Sequence, residues 1–490
     1  MQRLLILFLV ITSFSACKTG FFEEDFPNEA PETYTVIDTI IRFGEDRLNS
    51  QVNISWWGDD ADGFVEGYEF TFDEVISPSS SWQYIQSQDS VFVLSTPPGT
   101  DTLDFHFSVR SVDNESSVDL TPASIYYPIK NTPPTIAFTD GVINPECSYP
   151  VFKYTWEAND ADGFENLSHF ELFLNDTTLQ AIILETNTNA VTFEAINPQE
   201  SSSEARIYLN NAVTAETENV DLLLMNDTNR VYIRAVDKSA SSSAMAISKP
   251  IFVKQQTSNI LMINAYGNFG ENVEEFYVDM FNEVGITEYD YLKILATNSE
   301  GEFSQQAPDV LTQSRIFSLF DGIVWFGNNA TASLSLAQKS TVDFFNDGGK
   351  MLMSIYVSSD FDEQSNFLDF TPIQTLVTPV DSTLFLTDTA TVQSNSAAYP
   401  ELLSQAFVGI VKPFELVPGA EQIYEAEIIV RDNATNTNSL WTGNSTVIAR
   451  KNDGNGNSNF VLSTLEIHKL NDAMNMPSFF EQVLINEFGL

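Results

Sequence analysis

The sequence predicts a multidomain chain in which two all-β sandwich modules precede an α/β domain. Three observations predict it. A tryptophan strand followed by Asp-Ala-Asp-Gly-Phe occurs twice, at 53–64 and 153–164. Apolar residues alternate with a period of two through both copies, which is the mark of half-buried strands. From Ile260 onward the period changes, and continuous apolar runs alternate with apolar residues at helical spacing. The 490 residues, 43% hydrophobic with 38 Phe, are enough for several packed cores.

Residues 1–16 read as a secretory signal. Arg3 supplies the positive charge, Leu4 to Ile11 the apolar run, and Ser15-Ala16-Cys17 a small-residue cleavage site. The apolar run falls short of the roughly 20 residues that a bilayer-spanning helix needs. Phe14-Ser15-Ala16-Cys17 resembles the bacterial lipobox, with Phe14 where Leu is usual. That resemblance implies that the Cys17 thiol receives diacylglycerol and becomes the mature N-terminus, and that the membrane is a partner through the lipid. Each buried methylene of such an anchor contributes about 0.8 kcal/mol.

Residues 17–33 form a tether. Lys18-Thr19-Gly20-Phe21-Phe22-Glu23-Glu24-Asp25 resembles the export signals that carry lipoproteins of Bacteroidetes to the cell surface. The resemblance implies an outer-membrane lipoprotein, and the sequence leaves the cell surface and the periplasmic face both open. With Cys17 lipidated, Cys147 has no intrachain partner and the chain has no disulfide framework.

The chain carries 22 Lys+Arg against 68 Asp+Glu, a formal net charge of -46. Nucleic acid is not expected as a partner, because binding it needs a basic patch that releases counterions. Such acidity keeps an exported protein soluble without naming a ligand.

The first module spans 34–131 and the second 132–256. Ser55-Trp56-Trp57 and Thr155-Trp156 lead into the two Asp-Ala-Asp-Gly-Phe elements, and Tyr68-Glu69-Phe70 and Phe170-Glu171-Leu172 follow them. Later, Phe107-Ser108-Val109-Arg110-Ser111-Val112-Asp113 matches Val231-Tyr232-Ile233-Arg234-Ala235-Val236-Asp237. These paired signatures resemble the fibronectin type III and related immunoglobulin-like modules of bacterial surface proteins, and imply β-sandwiches. Asn131-Thr132-Pro133-Pro134 marks the joint, since consecutive prolines favour an extended linker and cannot donate to a sheet.

Asp60, Asp62, Asp160 and Asp162 sit on short loops with a glycine at the turn, and two readings stay open for them. Carboxylates so placed can bind calcium. They can equally cap backbone amides in a β-turn, with glycine at positive φ. Calcium is the one cofactor the sequence raises.

In the domain 257–490, Ile260-Leu261-Met262-Ile263-Asn264-Ala265 reads as a buried parallel strand. Val273, Phe276, Tyr277, Met280, Phe281 and Val284 follow at helical spacing. Gly322 to Phe326 and Met351 to Ile355 read as further strands, Leu336 to Asn346 as a helix, and 371–444 as inserted strands and loops. Alternating strands and helices imply a parallel sheet covered on both faces. The order resembles the class I glutamine amidotransferase-like fold, a flavodoxin-like sheet. In active members of that family a cysteine nucleophile flanked by glycines follows the strand after the Gly-Gly helix end. Here that strand runs into Tyr356-Val357-Ser358-Ser359, so the resemblance implies no catalysis. Ser354 or Ser358 as a substitute would need an adjacent base and an oxyanion hole. His468 near the late strand is expected on the surface or in a loop. With only three histidines, a zinc centre is not expected.

No catalytic residue is therefore predicted. The expected function is that of a membrane-anchored exported lipoprotein that binds or scaffolds at the cell envelope, with an envelope protein or glycan as partner. Ligands of α/β sheets bind at the C-terminal ends of the strands, which singles out Tyr266, Asn268, Asn328, Asn329 and Tyr356. Two alternatives stand beside it: a hydrolase of an extracellular polymer that works with paired carboxylates, and an accessory subunit of an outer-membrane complex.

Overall fold

The computed structural model describes residues 27–36, 42, 47–140, 143–267, 271–295, 304–362 and 368–490. Cys17 and Asn268 lie outside the described residues. Two compact units are present. The first holds the described residues up to Pro133 together with Asp160–Leu167 and Asp237–Ser241, and the second holds the remainder.

In the first unit, strand Gln51–Asp59 shows how alternation becomes a fold. Val52, Ile54 and Trp56 point inward while Gln51, Asn53 and Trp57 face out, as the two-residue period of a pleated strand requires. It lies between Glu32–Thr35 and Asp89–Val93 in a three-stranded antiparallel sheet. A five-stranded sheet of Leu48–Asn49, Ala123–Lys130, Thr102–Asp113, Val65–Thr71 and Gln83–Ile85 completes the sandwich. Between the sheets Trp56, Phe70, Phe107 and Ile125 share one buried core. The rings of Trp56 and Phe107 are 5.6 Å apart, and those of Phe70 and Phe92 5.1 Å.

The second copy of the repeat builds equivalent strands in the second unit. Val151–Asn159 carries Trp156, which is 2% exposed and meets the Phe170 ring edge-on at 6.1 Å. Trp56 meets Tyr68 in the same way at 6.2 Å. The repeat also preserves a cross-strand ion pair, Glu69 with Arg110 in one copy and Glu171 with Arg234 in the other. Sheet orders are Val220–Leu224, Ser202–Leu209, Ala190–Ala195, Val151–Asn159, Thr135–Phe138 and, opposite, Ile182–Leu184, Leu167–Leu174, Val231–Asp237, Ala246–Ile247.

The C-terminal part of the second unit centres on a nine-stranded sheet. Asp290–Lys293, Ile260–Ala265, Gly322–Gly327, Lys350–Ile355 and Ser458–Ser463 run parallel, in that spatial order. Antiparallel strands Thr446–Asn452, Glu421–Ala426, Thr391–Ser394 and Leu402–Leu403 extend it. All six residues of Ile260–Ala265 are buried, because both faces are covered. Met262 joins Val273, Tyr277 and Phe281 of helix Glu271–Glu283 in one core. Leu261, Ile263 and Ala265 join Ile316, Phe317, Leu334 and Ala337 in the other, below helices Val310–Phe317 and Ala330–Ser340.

Helices are nonetheless few. Strands account for most of the described elements, and those between Ile373 and Leu440 are all β. The geometry thus describes a mostly β chain with a mixed sheet. The helix expected over 336–346 is instead two helices, Ala330–Ser340 and Val342–Asn346. Gly348, at φ +90°, supplies the left-handed turn that stops the second.

Candidate functional site

Beyond the ends of the parallel strands, the second unit assembles a buried polar cluster. Tyr266 follows strand Ile260–Ala265, is 5% exposed, and has its amide held by the Asn264 side chain at 3.0 Å. Its hydroxyl donates to Glu466 Oε1 at 2.7 Å. The other Glu466 oxygen meets the Lys469 ammonium, three residues on. Burial pushes the Tyr266 phenol well above its usual range, and the Glu466 charge adds to the effect. Tyr356, half-buried after strand Lys350–Ile355, is raised first by burial and then by the charges of Glu466 and Asp360.

Ser354 is tied into the same cluster. Its hydroxyl lies 3.2 Å from the Leu465 carbonyl, to which it donates, and accepts from the Ile467 amide at 3.1 Å. The side chain is 2% exposed, and its proton and one lone pair are thus spent on joining two strand ends. Ser358 hydrogen-bonds to Asp360, and that bond leads the causes that hold the Asp360 carboxyl below its usual range. What the arrangement can do chemically is orient polar groups at a strand end. Among the described residues, the Ser354 hydroxyl bonds backbone atoms of Leu465 and Ile467, and His468 Nδ1 has no hydrogen-bond partner.

His468 lies on the 3-10 turn Ile467–Lys469 that follows strand Ser458–Ser463, and is half-buried rather than on the surface. Its ring lies 6.3 Å from that of Tyr266 and 6.2 Å from that of Phe276. Burial lowers its pKa from 6.5 to about 4, against the upward pull of Glu466. The folded chain therefore holds this imidazole neutral. Its contribution to stability is complete above pH 6.5 and declines as pH falls toward 4. The shift corresponds to a loss on the order of 3 kcal/mol. His468→Phe is expected to flatten the pH dependence of urea-unfolding stability in that window. An unchanged slope would show that the imidazole is not held neutral.

The remaining sequence-predicted residues do not all converge on this cluster. Asn329 caps helix Ala330–Ser340, its side chain accepting from the Ala332 amide at 3.0 Å. Asn328 is exposed beside it. Glu466 was missed by sequence reasoning, because nothing marks one glutamate among so many acids.

The Asp-Ala-Asp-Gly loops form a second constellation, confined to the first unit. Asp62 Oδ2 accepts from the Glu29 amide at 3.0 Å, and Asp113 Oδ2 from Asn28 Nδ2 at 2.7 Å. The second copy repeats the device. Asp162 Oδ2 accepts from the Thr132 amide at 2.6 Å, and Asp237 Oδ2 from Asn131 Nδ2 at 2.7 Å. Asp162 Oδ1 takes a further amide, that of Ser50, at 2.7 Å. Each loop thus grips the segment that enters its module, Asn28-Glu29-Ala30-Pro31 in one and Asn131-Thr132-Pro133-Pro134 in the other. The shared Asn-x-x-Pro spacing is the sequence signal that could have revealed the grip.

Asp160 is satisfied by the Asp162 amide at 2.8 Å and by Asn166 at 3.1 Å. Burial is the first cause of its raised pKa. Asp60 differs, since among the described residues its two solvent-shielded carboxylate oxygens make no well-formed hydrogen bond. Its pKa is raised by burial first, then by Asp62. Among the described residues, no three acids, histidines or cysteines are grouped to hold a metal.

No protein-family model matches the chain, and no curated protein matches it. Solved structures do. Fibronectin(III)-like modules of Clostridium thermocellum CbhA are 15% identical, covering 46% of this chain and 95% of theirs, with a TM-score of 0.18. A two-domain fibronectin type III segment of chicken tenascin is 10% identical over 46% of this chain and 100% of its own, also with a TM-score of 0.18. The central fibronectin-III array of RIM-binding protein is 13% identical over 45% and 97%, with a TM-score of 0.14. At such scores the sandwich assignment rests on the strand pairing and buried cores of the chain itself.

Proposed function

We propose that the chain is an exported lipoprotein, anchored in the outer membrane through Cys17, that binds or scaffolds at the cell envelope and is not an enzyme. In this reading fibronectin type III-like modules carry a degenerate amidotransferase-like domain of flavodoxin-like ancestry. One observation carries the non-enzymatic half. The Ser354 hydroxyl, the buried candidate to replace the missing cysteine, is occupied by Leu465 and Ile467. A serine nucleophile needs a base on its hydroxyl and a vacant path to substrate. The polar strand ends at Tyr266, Asn328 and Tyr356 then serve recognition.

Purification of the tagged protein from its native host in mild detergent tests this reading. An envelope protein or glycan should co-purify in stable ratio, and Tyr356→Ala should weaken its retention. Isolation of the chain alone, with hydrolysis of envelope polymers lost in Ser354→Ala, would overturn it.

A further inference from the structure

Two tryptophans adjoin in strand Gln51–Asp59 and meet opposite fates: Trp56 is 1% exposed and Trp57 46%. Trp57 pairs across the strands with Tyr34, and the two rings stack at 4.3 Å and 19° on the open face of the three-stranded sheet. The next cross-strand pair on that face is Glu32 opposite Asp59. Like charges directly opposite each other in a sheet are destabilising. Among the described residues no lysine or arginine pairs with either carboxylate. The Tyr34 hydroxyl donates to Glu32. Its pKa is raised by that bond first, then by burial and by the charges of Glu32, Asp59 and Asp119, so three carboxylates bear on one exposed aromatic pair.

Elsewhere the same ingredients occur with a cation in place. Arg110 lies 4.2 Å from the centre of the Trp82 ring and pairs with Glu69. Arg315 lies 3.4 Å over Tyr208, whose hydroxyl bonds Glu194 just as Tyr34 bonds Glu32. Guanidinium groups favour such sites because they stack on aromatic faces while hydrogen-bonding carboxylates. With 22 basic residues against 68 acidic ones, the chain cannot neutralise most of its own carboxylates.

We propose that the Trp57–Tyr34 platform, with Glu32 and Asp59, is a docking site for an arginine side chain on an exposed segment of a partner protein. The guanidinium stacks on the aromatic pair and relieves the repulsion between the two acids. The field of so acidic a protein steers a basic segment toward it. This site is independent of the strand-end cluster and of any function assigned there.

The probe is a fluorescein-labelled acetyl-(Gly-Arg)3-amide peptide, titrated with the full chain at low salt and read by anisotropy. Its citrulline counterpart keeps the shape and removes the charge. The arginine peptide should bind, the citrulline peptide should bind at least tenfold more weakly, and both Trp57→Ala and the double variant Glu32→Gln, Asp59→Asn should weaken arginine binding at least tenfold. The double variant guards against a folding defect, since removing a like-charge pair should leave the thermal midpoint unchanged or raised. Three results would each overturn the proposal: no binding of the arginine peptide, equal binding of the citrulline peptide, or arginine binding that survives both sets of substitutions. Retention of a neutral glucose hexamer that is lost in Trp57→Ala but not displaced by the arginine peptide would also overturn it, in favour of a glycan platform.

Discussion

Trp56→Ala should destabilise the first unit by about 3–5 kcal/mol, the range for emptying a large aromatic site in a packed core. The indole is 1% exposed and fills the space between Tyr68 and Phe107, with ring centres 6.2 and 5.6 Å away. Among the described residues its Nε1 has no acceptor, so Trp56→Phe, which keeps a ring and removes that donor, should cost much less. Trp57→Ala, one residue on, loses only the cross-strand stack on Tyr34 and should cost about 0.5–1.5 kcal/mol, well below the loss at Trp56. Urea unfolding of the full chain, followed by hydrogen exchange in 102–130, reads this contrast directly. Equal losses at 56 and 57 would mean that the sheet is not in the register described.

Asp162→Ala is the second large effect expected, at about 2–4 kcal/mol, since the Ser50 amide it frees is buried and the Thr132 amide partly so. The carboxylate is 0% exposed and accepts from the amides of Ser50 and Thr132, so its removal orphans two backbone donors. Each buried donor left without a partner costs about 1–3 kcal/mol. Asp162→Asn keeps one acceptor oxygen and should lose roughly half as much. Hydrogen-exchange protection at Ser50 and Thr132 should collapse in Asp162→Ala, while strands Thr102–Asp113 and Ala123–Lys130 keep theirs. Preserved protection at both amides would show that the loop does not grip the entering segment.

The repeat was legible in the sequence because it writes the same period-two strands twice. The Trp56 and Trp156 positions and the Glu69–Arg110 and Glu171–Arg234 pairs all follow from it. For the grip of Asp162 the repeated Asn-x-x-Pro spacing marks only the Thr132 side, while nothing local marks Ser50, 112 residues away. Reading the aspartates as calcium ligands or as turn caps saw only their own loop. Helix Ala330–Ser340 began earlier than expected because Thr331, Ser333 and Ser335 interrupt its apolar spacing, although Asn329 marks its cap. His468 is expected on the surface or in a loop; it does follow the last strand on a short turn, and its half-burial comes from Tyr266 and Phe276, both far away in sequence. Tyr266 and Tyr356 were legible as positions at the C-terminal ends of buried parallel strands. Glu466, which brings their environments together, was not.

Lipidation of Cys17 would hold both units at a membrane. Metabolic labelling with a radioactive fatty acid, followed by membrane fractionation of wild type and Cys17→Ala in the native host, tests it most directly. The wild type should carry label and leave the membrane fraction only in detergent, and Cys17→Ala should be unlabelled and free of the membrane. An unlabelled wild type, or a Cys17→Ala chain retained in the membrane fraction, would contradict the anchor.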